Sequence, residues 1–411
     1  MRSKTGMKRA SWVDSITSAM LSDPTLDRAA MQELSMLDEI LFEAWNLGEN
    51  IVIAWTQDDG ELHFLAVRHY ELLEPHDYNT AAADSEGNSR SFIDAVLVGP
   101  KCIEPADFAR LRAAFSANVR IVRAALGPYL RAHPELISGL VTRYTVSLVH
   151  ARAVLLLDAV NFSLHTPLEQ VAMLNSLSYS VNSAYRQLIS TDVQINFART
   201  TTGDGFYIWN RAASIEANIA LYKLLLLILA DNAVAQSKAN HFPVPKLRAA
   251  FHVGEHYEFH QVEALNPTTF SYIVGPVTID LARFLEKALP GQILLGDFSI
   301  AMRDADDNHL TTCNTFDFID RTAVMLHDLE GLGVANDRIA SIGCYLTGDR
   351  DADGGFAVRR YQIRDKHDLT HVVYNAKMNI HLAGGAPIYL GYQHKDLHPP
   401  GGPDLVWGEH P

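Results

Sequence analysis

The sequence predicts an α+β fold built on a ferredoxin-like core, and three observations carry that reading. The first is Val154-Leu155-Leu156-Leu157, an apolar run that ends at Asp158 and passes into the short loop Ala159-Val160-Asn161-Phe162-Ser163. A run this short, closed by a polar turn, reads as a buried central strand. The second is a pair of helical segments, 168–188 and 216–235, each set between strand-like stretches. The third is Thr200-Thr201-Thr202-Gly203-Asp204-Gly205-Phe206-Tyr207-Ile208, where β-branched and aromatic residues flank a Gly-Asp-Gly turn in the pattern of a hairpin. Strands interleaved with helices on one sheet define the class.

In chain order, the N-terminus is basic (Arg2, Lys4, Lys8, Arg9), but Asp14, Ser15 and Ser18 interrupt the next segment, so no signal-peptide core is expected. Residues 27–46 carry Met31, Leu34, Leu37, Ile40, Leu41 and Ala44 on one helical face. Residues 51–55 and 62–67 flank Gln57-Asp58-Asp59-Gly60 and predict a β-hairpin. Residues 77–91 read as a polar loop. Over 105–130, Phe108, Leu111, Phe115, Val119, Val122 and Leu126 recur at helical spacing and predict helix. Residues 1–145 are therefore expected to form an N-terminal α+β region, structural or partner-binding in role.

Residues 146–305 form the expected central domain. Thr166-Pro167-Leu168-Glu169 is a capping box with proline at the first helical position. The helix over 216–235 has a dense leucine face (Leu221, Leu224, Leu225, Ile228), which marks core. A strand over 246–253, a polar excursion over 257–270, a helix over 279–289 and a strand over 293–295 complete the domain. Residues 306–411 are expected to be β-rich, with an alternating strand over 370–382 and a hairpin return through Gly384-Gly385 to 387–390. His367 and His371 stand four apart beside Asp365 and Asp368, a metal-like spacing with no third ligand placed; solvated side chains are the expected reading. His398-Pro399-Pro400-Gly401-Gly402-Pro403 reads as a flexible tail.

Composition bounds the function. A chain of 411 residues exceeds the usual single-domain size, so two or three units are expected. A formal charge of −14 argues against nucleic acid or an anionic membrane as partner. The longest apolar run, 224–230, is too short to span a bilayer. Cys102, Cys313 and Cys344 are odd in number and far apart, so no disulfide framework is implied and a cytoplasmic setting is expected.

Two carboxylates carry the chemistry. Asp158, at the end of a buried strand, is expensive unless a metal or a basic side chain meets it. The helix N-terminus after it offers free N–H groups to a phosphate. Asp204, at the hairpin tip, is expected beside Asp158, and the two together would hold a divalent cation for a triphosphate.

Five motifs then occur in a telling order: Leu157 to Ser163; Thr202-Gly203-Asp204-Gly205-Phe206; Leu247 to Glu255; Val274-Gly275 through Arg283; and Pro290-Gly291-Gln292-Ile293-Leu294-Leu295. In that order the chain resembles the class III nucleotidyl cyclases over about 146–302. The resemblance implies a lyase that closes a nucleoside triphosphate to a 3′,5′-cyclic nucleotide and pyrophosphate. It places two Mg²⁺ or Mn²⁺ ions on Asp158, Ala159 and Asp204, and the substrate against Asn161, Phe162 and Ser163. It puts the arginine that meets developing phosphate charge at Arg283. The family's ribose-orienting asparagine falls on Ile279, which cannot donate, so Asp280 or Thr278 is the expected substitute. The base-contacting positions fall on Thr200 and Tyr272, which match neither the adenine nor the guanine pattern. In this the chain resembles the pyrimidine (uridylate or cytidylate) cyclases of bacterial antiphage systems. The resemblance further implies a homodimer with composite sites. The alternative it leaves open is a catalytically weak module for dimerisation or nucleotide sensing.

Overall fold

The computed structural model describes residues 28–73, 88–115, 119–191, 193, 195–239, 243–262, 269–304, 309–334, 337–350, 356–365 and 367–397. The basic N-terminus, the expected loop over 77–87 and the tail from His398 lie outside these. The chain divides into two compact units, Met1–Val149 with Tyr257–Ile273, and His150–His256 with Val274–Pro411.

The first unit contains α1 (Arg28–Trp45), β1 (Asn50–Asp58), β2 (Glu61–Arg68), α2 (Asn88–Val98), α3 (Pro105–Ala114), β3 (Arg120–Ala125), α4 (Pro128–Ala132) and α5 (Pro134–Val141). Its strands form an antiparallel sheet in the order β1-β2-β3. Both faces are covered, which explains why 51–55 is apolar without alternation. Val52, Phe64 and Ala66 pack with Leu34, Leu37 and Leu41 of α1. Ile51, Ile53, Leu65 and Val67 pack instead with Ile93, Leu97, Phe108 and Leu111. The helix expected over 105–130 ends at Ala114. Beyond it Ile121 and Val122 enter β3, with Val122 and Ala124 buried on one side of the strand. Pairing with β2 overrides the apparent helical spacing there. Likewise α2 begins at Asn88, inside the stretch read as loop.

The second unit is built on β4 (Val146–Ala159), α6 (Pro167–Ile189), β5 (Phe197–Thr201), β6 (Gly205–Asn210), α7 (Ile215–Lys238) and β7 (Leu247–Val262). The sheet runs β7-β4-β6-β5 through these strands. With α6 after β4 and α7 after β6 this is the βαββαβ arrangement, the fourth strand lying beside the first, and the ferredoxin-like α+β class stands. The end of β7 from Tyr257 and β8 (Thr269–Val274) as far as Ile273 fall in the first unit, where the two strands pair, so residues 257–262 and 269–270 of the polar excursion are strand. α8 (Pro276–Lys287) and β9 (Ile293–Gly296) come next, and β9 pairs parallel with β7.

The remaining elements are β10 (Ser299–Arg303), β11 (Leu310–Asn314), α9 (Thr315–Met325), β12 (Gly333–Val334), β13 (Asp337–Leu346), β14 (Gly348–Arg350), β15 (Phe356–Val358), β16 (Arg360–Arg364), β17 (Thr370–Leu382) and β18 (Ile388–Gly391). β17 continues the sheet by pairing Val373–Ala376 against Gly296–Ile293 of β9, and β18 returns on β17 as a hairpin. Residues beyond 305 thus share one core with the ferredoxin-like strands: Ile342, Cys344, Met378 and Ile380 pack with Leu155, Leu157, Leu177 and Phe251. At the centre lies α7. It is long and apolar enough to cross a membrane, yet Leu221, Leu224, Leu225, Leu226 and Ile228 are fully buried within the unit, as an all-round apolar core helix must be.

Candidate active site

The site is built from strand ends. Asp158 is the penultimate residue of β4 and stands in register with Gly205, the first residue of β6. A Cβ at Gly205 would fall 1.8 Å from the Leu157 carbonyl oxygen, so the two strands close at this point only with glycine. Gly203 takes φ of 103°, the conformation that turns the chain tightly enough to place Asp204 between the two glycines. The Ala159 N–H donates to the Asp204 carbonyl at 3.0 Å, and the Thr202 hydroxyl donates to Asp204 Oδ1 at 3.3 Å. Asp158 and Asp204 are thereby brought together.

Arg248 completes the group. It is the second residue of β7, and its Nε donates to Asp158 Oδ2 at 2.8 Å while Nη2 donates to the same oxygen. Its Nη1 donates to the Leu285 carbonyl of α8 at 3.0 Å. Burial first, and the neighbouring Asp204 carboxylate with it, raise the Asp158 carboxyl above its usual range against the pull of Arg248. Of the two carboxylates Arg248 meets Asp158 alone, and the Asp204 side chain beside it accepts only from the Thr202 hydroxyl among the described residues, so the pair has room for a further positive charge. The only sequence sign of Arg248's role is a basic residue at the start of an otherwise apolar strand.

The loop after Asp158 turns at Asn161, with φ of 58°, and makes one 3₁₀ turn over Phe162–Leu164. Asn161 and Ser163 are exposed and Phe162 partly so. The Val160 N–H is held by the Lys246 carbonyl at 2.9 Å. The capping box forms as expected. The Thr166 N–H and hydroxyl both donate to Glu169, and the backbone and side-chain bonds from Thr166 hold that carboxyl below its usual range. The first anion at the helix N-terminus is therefore the chain's own Glu169.

The other expected residues make contacts of their own. Thr200 is half-buried on β5 opposite Tyr207, whose hydroxyl donates to the Thr278 carbonyl at 3.0 Å. Ile279 is 54% exposed on the first turn of α8. Asp280 accepts from His371 Nδ1 at 2.9 Å and stands 3.6 Å from His252 Nε2. Burial works to raise the Asp280 carboxyl, but the two histidines outweigh it and hold the group below the usual range. Arg283 is ion-paired with Asp365 at 3.4 Å and with Glu286 one turn on. No hydrogen bond or ion pair among the described residues joins Asp280 or Arg283 to Asp158 or Asp204. Tyr272 belongs to the first unit, where its ring stacks on Phe259 at 5.8 Å between centroids.

Among the described residues, no group of three or more His, Cys, Asp or Glu side chains could hold a metal; the expectation of solvated side chains around His367 and His371 fails for Asp365 and His371, which are largely buried and paired with Arg283 and Asp280. The Asp158–Asp204 pair still fits a hard divalent cation. Magnesium in particular is held by one or two carboxylates together with substrate phosphates, rather than by a cage of protein ligands.

No protein-family model matches the chain, and no curated protein matches it by sequence. Solved structures similar to it include the adenylyl cyclase CyaB from P. aeruginosa, with 13% identity and a TM-score of 0.32 over 56% of this chain and 95% of that one. The guanylyl cyclase Cya2 gives 13% and 0.32 over 58% and 94%. The guanylate cyclase domain of RhGC from Catenaria anguillulae, solved with GTP, gives 12% and 0.32 over 56% and 97%.

Proposed function

We propose that the chain is a nucleotidyl cyclase. One observation carries this reading: Asp158 and Asp204 converge at the end of a central strand, with Arg248 on Asp158 and the loop from Asn161 to Ser163 beside them. In the reaction, the ribose 3′-oxygen forms a bond to the α-phosphorus. The bond from that phosphorus to the α,β-bridging oxygen breaks, pyrophosphate leaves, and the 3′-hydroxyl proton passes to solvent. Asp158, Asp204 and the Ala159 backbone carbonyl would hold Mg²⁺ or Mn²⁺, which supplies charge neutralisation for the attacking and leaving oxygens. Arg248, whose nitrogens donate to Asp158 and to the Leu285 carbonyl, would hold the Asp158 carboxylate in place for the ion.

The base proposed is a pyrimidine. The two positions that the resemblance assigns to base contact, Thr200 and Tyr272, carry neither purine pattern, and a purine whose edge finds no partner is disfavoured. The antiphage setting goes with that choice. The enzyme is proposed to work as a homodimer in which Arg283 serves the partner's aspartates.

A second reading has its own support. Ile279 is apolar where a donor is needed, and Asp280 and Arg283 are already engaged by the chain itself. These favour a catalytically weak module for nucleotide sensing or dimerisation. The test is incubation with each of the four ribonucleoside triphosphates and Mn²⁺, products read by mass spectrometry. A cyclic nucleotide supports the enzyme; tight triphosphate binding with no product supports the module.

A further inference from the structure

Asp365 lies in the turn between β16 and β17, outside the stretch that resembles the cyclases, and it is 8% exposed. Its two oxygens do different work. Oδ1 accepts from the His367 N–H at 2.8 Å and the Leu369 N–H at 2.9 Å, which is all that the turn requires. Oδ2 points to α8 instead, 3.4 Å from Arg283 Nε and 3.5 Å from His371 Nε2. Arg283 Nε is buried and makes no hydrogen bond among the described residues, so this ion pair is what meets it. The Arg283 side chain is only 17% exposed. Glu286 engages Nη1, which leaves Nη2 of the fork without a partner among the described residues. His371 bridges onward to Asp280 on the same helix.

A turn aspartate that only shaped its own loop would have no need to bury a second oxygen against a guanidinium. We propose that Asp365 is a positioning residue for Arg283: the β16–β17 turn holds Nε so that the outer edge of the guanidinium faces the ligand. The activity side of this inference rests on the cyclase reading; the geometric side does not. It gives the C-terminal stretch a part in the reaction through one fixed carboxylate.

The test uses the full chain and Asp365→Asn. That substitution keeps the acceptor for the His367 and Leu369 N–H groups and removes the charge from Arg283. Phenylglyoxal, which modifies accessible guanidinium groups, is the first probe, with Arg283 followed by peptide mass spectrometry. Arg283 is expected to react slowly in the wild type and several-fold faster in Asp365→Asn at an unchanged melting temperature. Turnover is the second readout. kcat is expected to fall about tenfold with KM unchanged. In the Arg283→Ala background Asp365→Asn should then add nothing, because the two act as one unit. Unchanged Arg283 modification overturns the proposal whatever the activity. So does a kcat loss of the same size in the Arg283→Ala background. Faster modification in a protein that makes no cyclic nucleotide leaves the positioning intact and defeats the cyclase reading. If Asp365→Asn melts early, Asp365→Ser offers the same turn acceptor without charge and carries the same expectations.

Discussion

Arg248 and Asp158 share a single carboxylate oxygen, Oδ2, across 90 residues of chain. The pair ties the start of β7 to the end of β4 and, through Leu285, to the C-terminal end of α8. Removing the arginine leaves a largely buried carboxylate without its cation. Arg248→Ala should therefore lower unfolding free energy by about 2 kcal/mol, read by urea denaturation. In an Asp158→Ala background the same change should cost clearly less, because the charge it compensates is gone. Equal costs in both backgrounds would show that the two side chains act independently.

Asp280 gives a pH signature. Its folded pKa lies below the usual carboxylate range because His252 and His371 outweigh its burial. A depressed folded pKa means that its contribution to stability is complete above the unfolded value of about 3.9 and is lost as pH falls through the lower folded value. Wild-type melting temperature should fall through that acid window, and Asp280→Asn should flatten the fall. A variant profile parallel to wild type below pH 4 would contradict the assignment.

Base choice is expected from Thr200 and Tyr272. UTP or CTP should be turned over at least about tenfold more efficiently, by kcat/KM, than ATP or GTP. The measurement is a four-way substrate competition with mass-spectrometric readout. Preference for a purine would remove the case for a pyrimidine while leaving the cyclase reading in place.

Composite sites predict complementation. Asp204→Ala alone should be inactive, and Arg283→Ala alone should keep only a small residual turnover. Mixed in equal amounts and allowed to exchange subunits, they should recover about a quarter of wild-type turnover. Half of the dimers are then mixed, and each carries one intact site. No recovery in a mixture shown to exchange subunits means that each chain builds its site alone.

Legible in the sequence was whatever its local pattern carries. The strand into Asp158, the Thr166–Glu169 capping box, the Gly203-Asp204-Gly205 turn and the strand over 370–382 all have signals within a few residues, and all form as read. β3 was hidden because Val119, Val122 and Leu126 mimic a helical period, and only pairing with β2 decides otherwise. β10, β11, β12, β14, β15 and β16 run to five residues or fewer, too few for a clear period, and β13 is completed by β17 farther along the chain. The same holds for side chains. Arg248 on Asp158, and Asp365 on Arg283, are contacts between segments far apart in sequence, and no spacing rule announces them.

The central claim is that Asp158 and Asp204 form one phosphoryl-transfer site. It is tested most directly by following cyclic nucleotide and pyrophosphate together, with Mn²⁺ and the preferred triphosphate, in wild type, Asp158→Ala and Asp204→Ala. The expectation is one pyrophosphate per cyclic nucleotide in the wild type. Each variant should lose turnover by at least about 100-fold, each with a cooperative unfolding transition like that of wild type. Wild-type turnover in either folded variant, or pyrophosphate released without cyclic product, would contradict the claim.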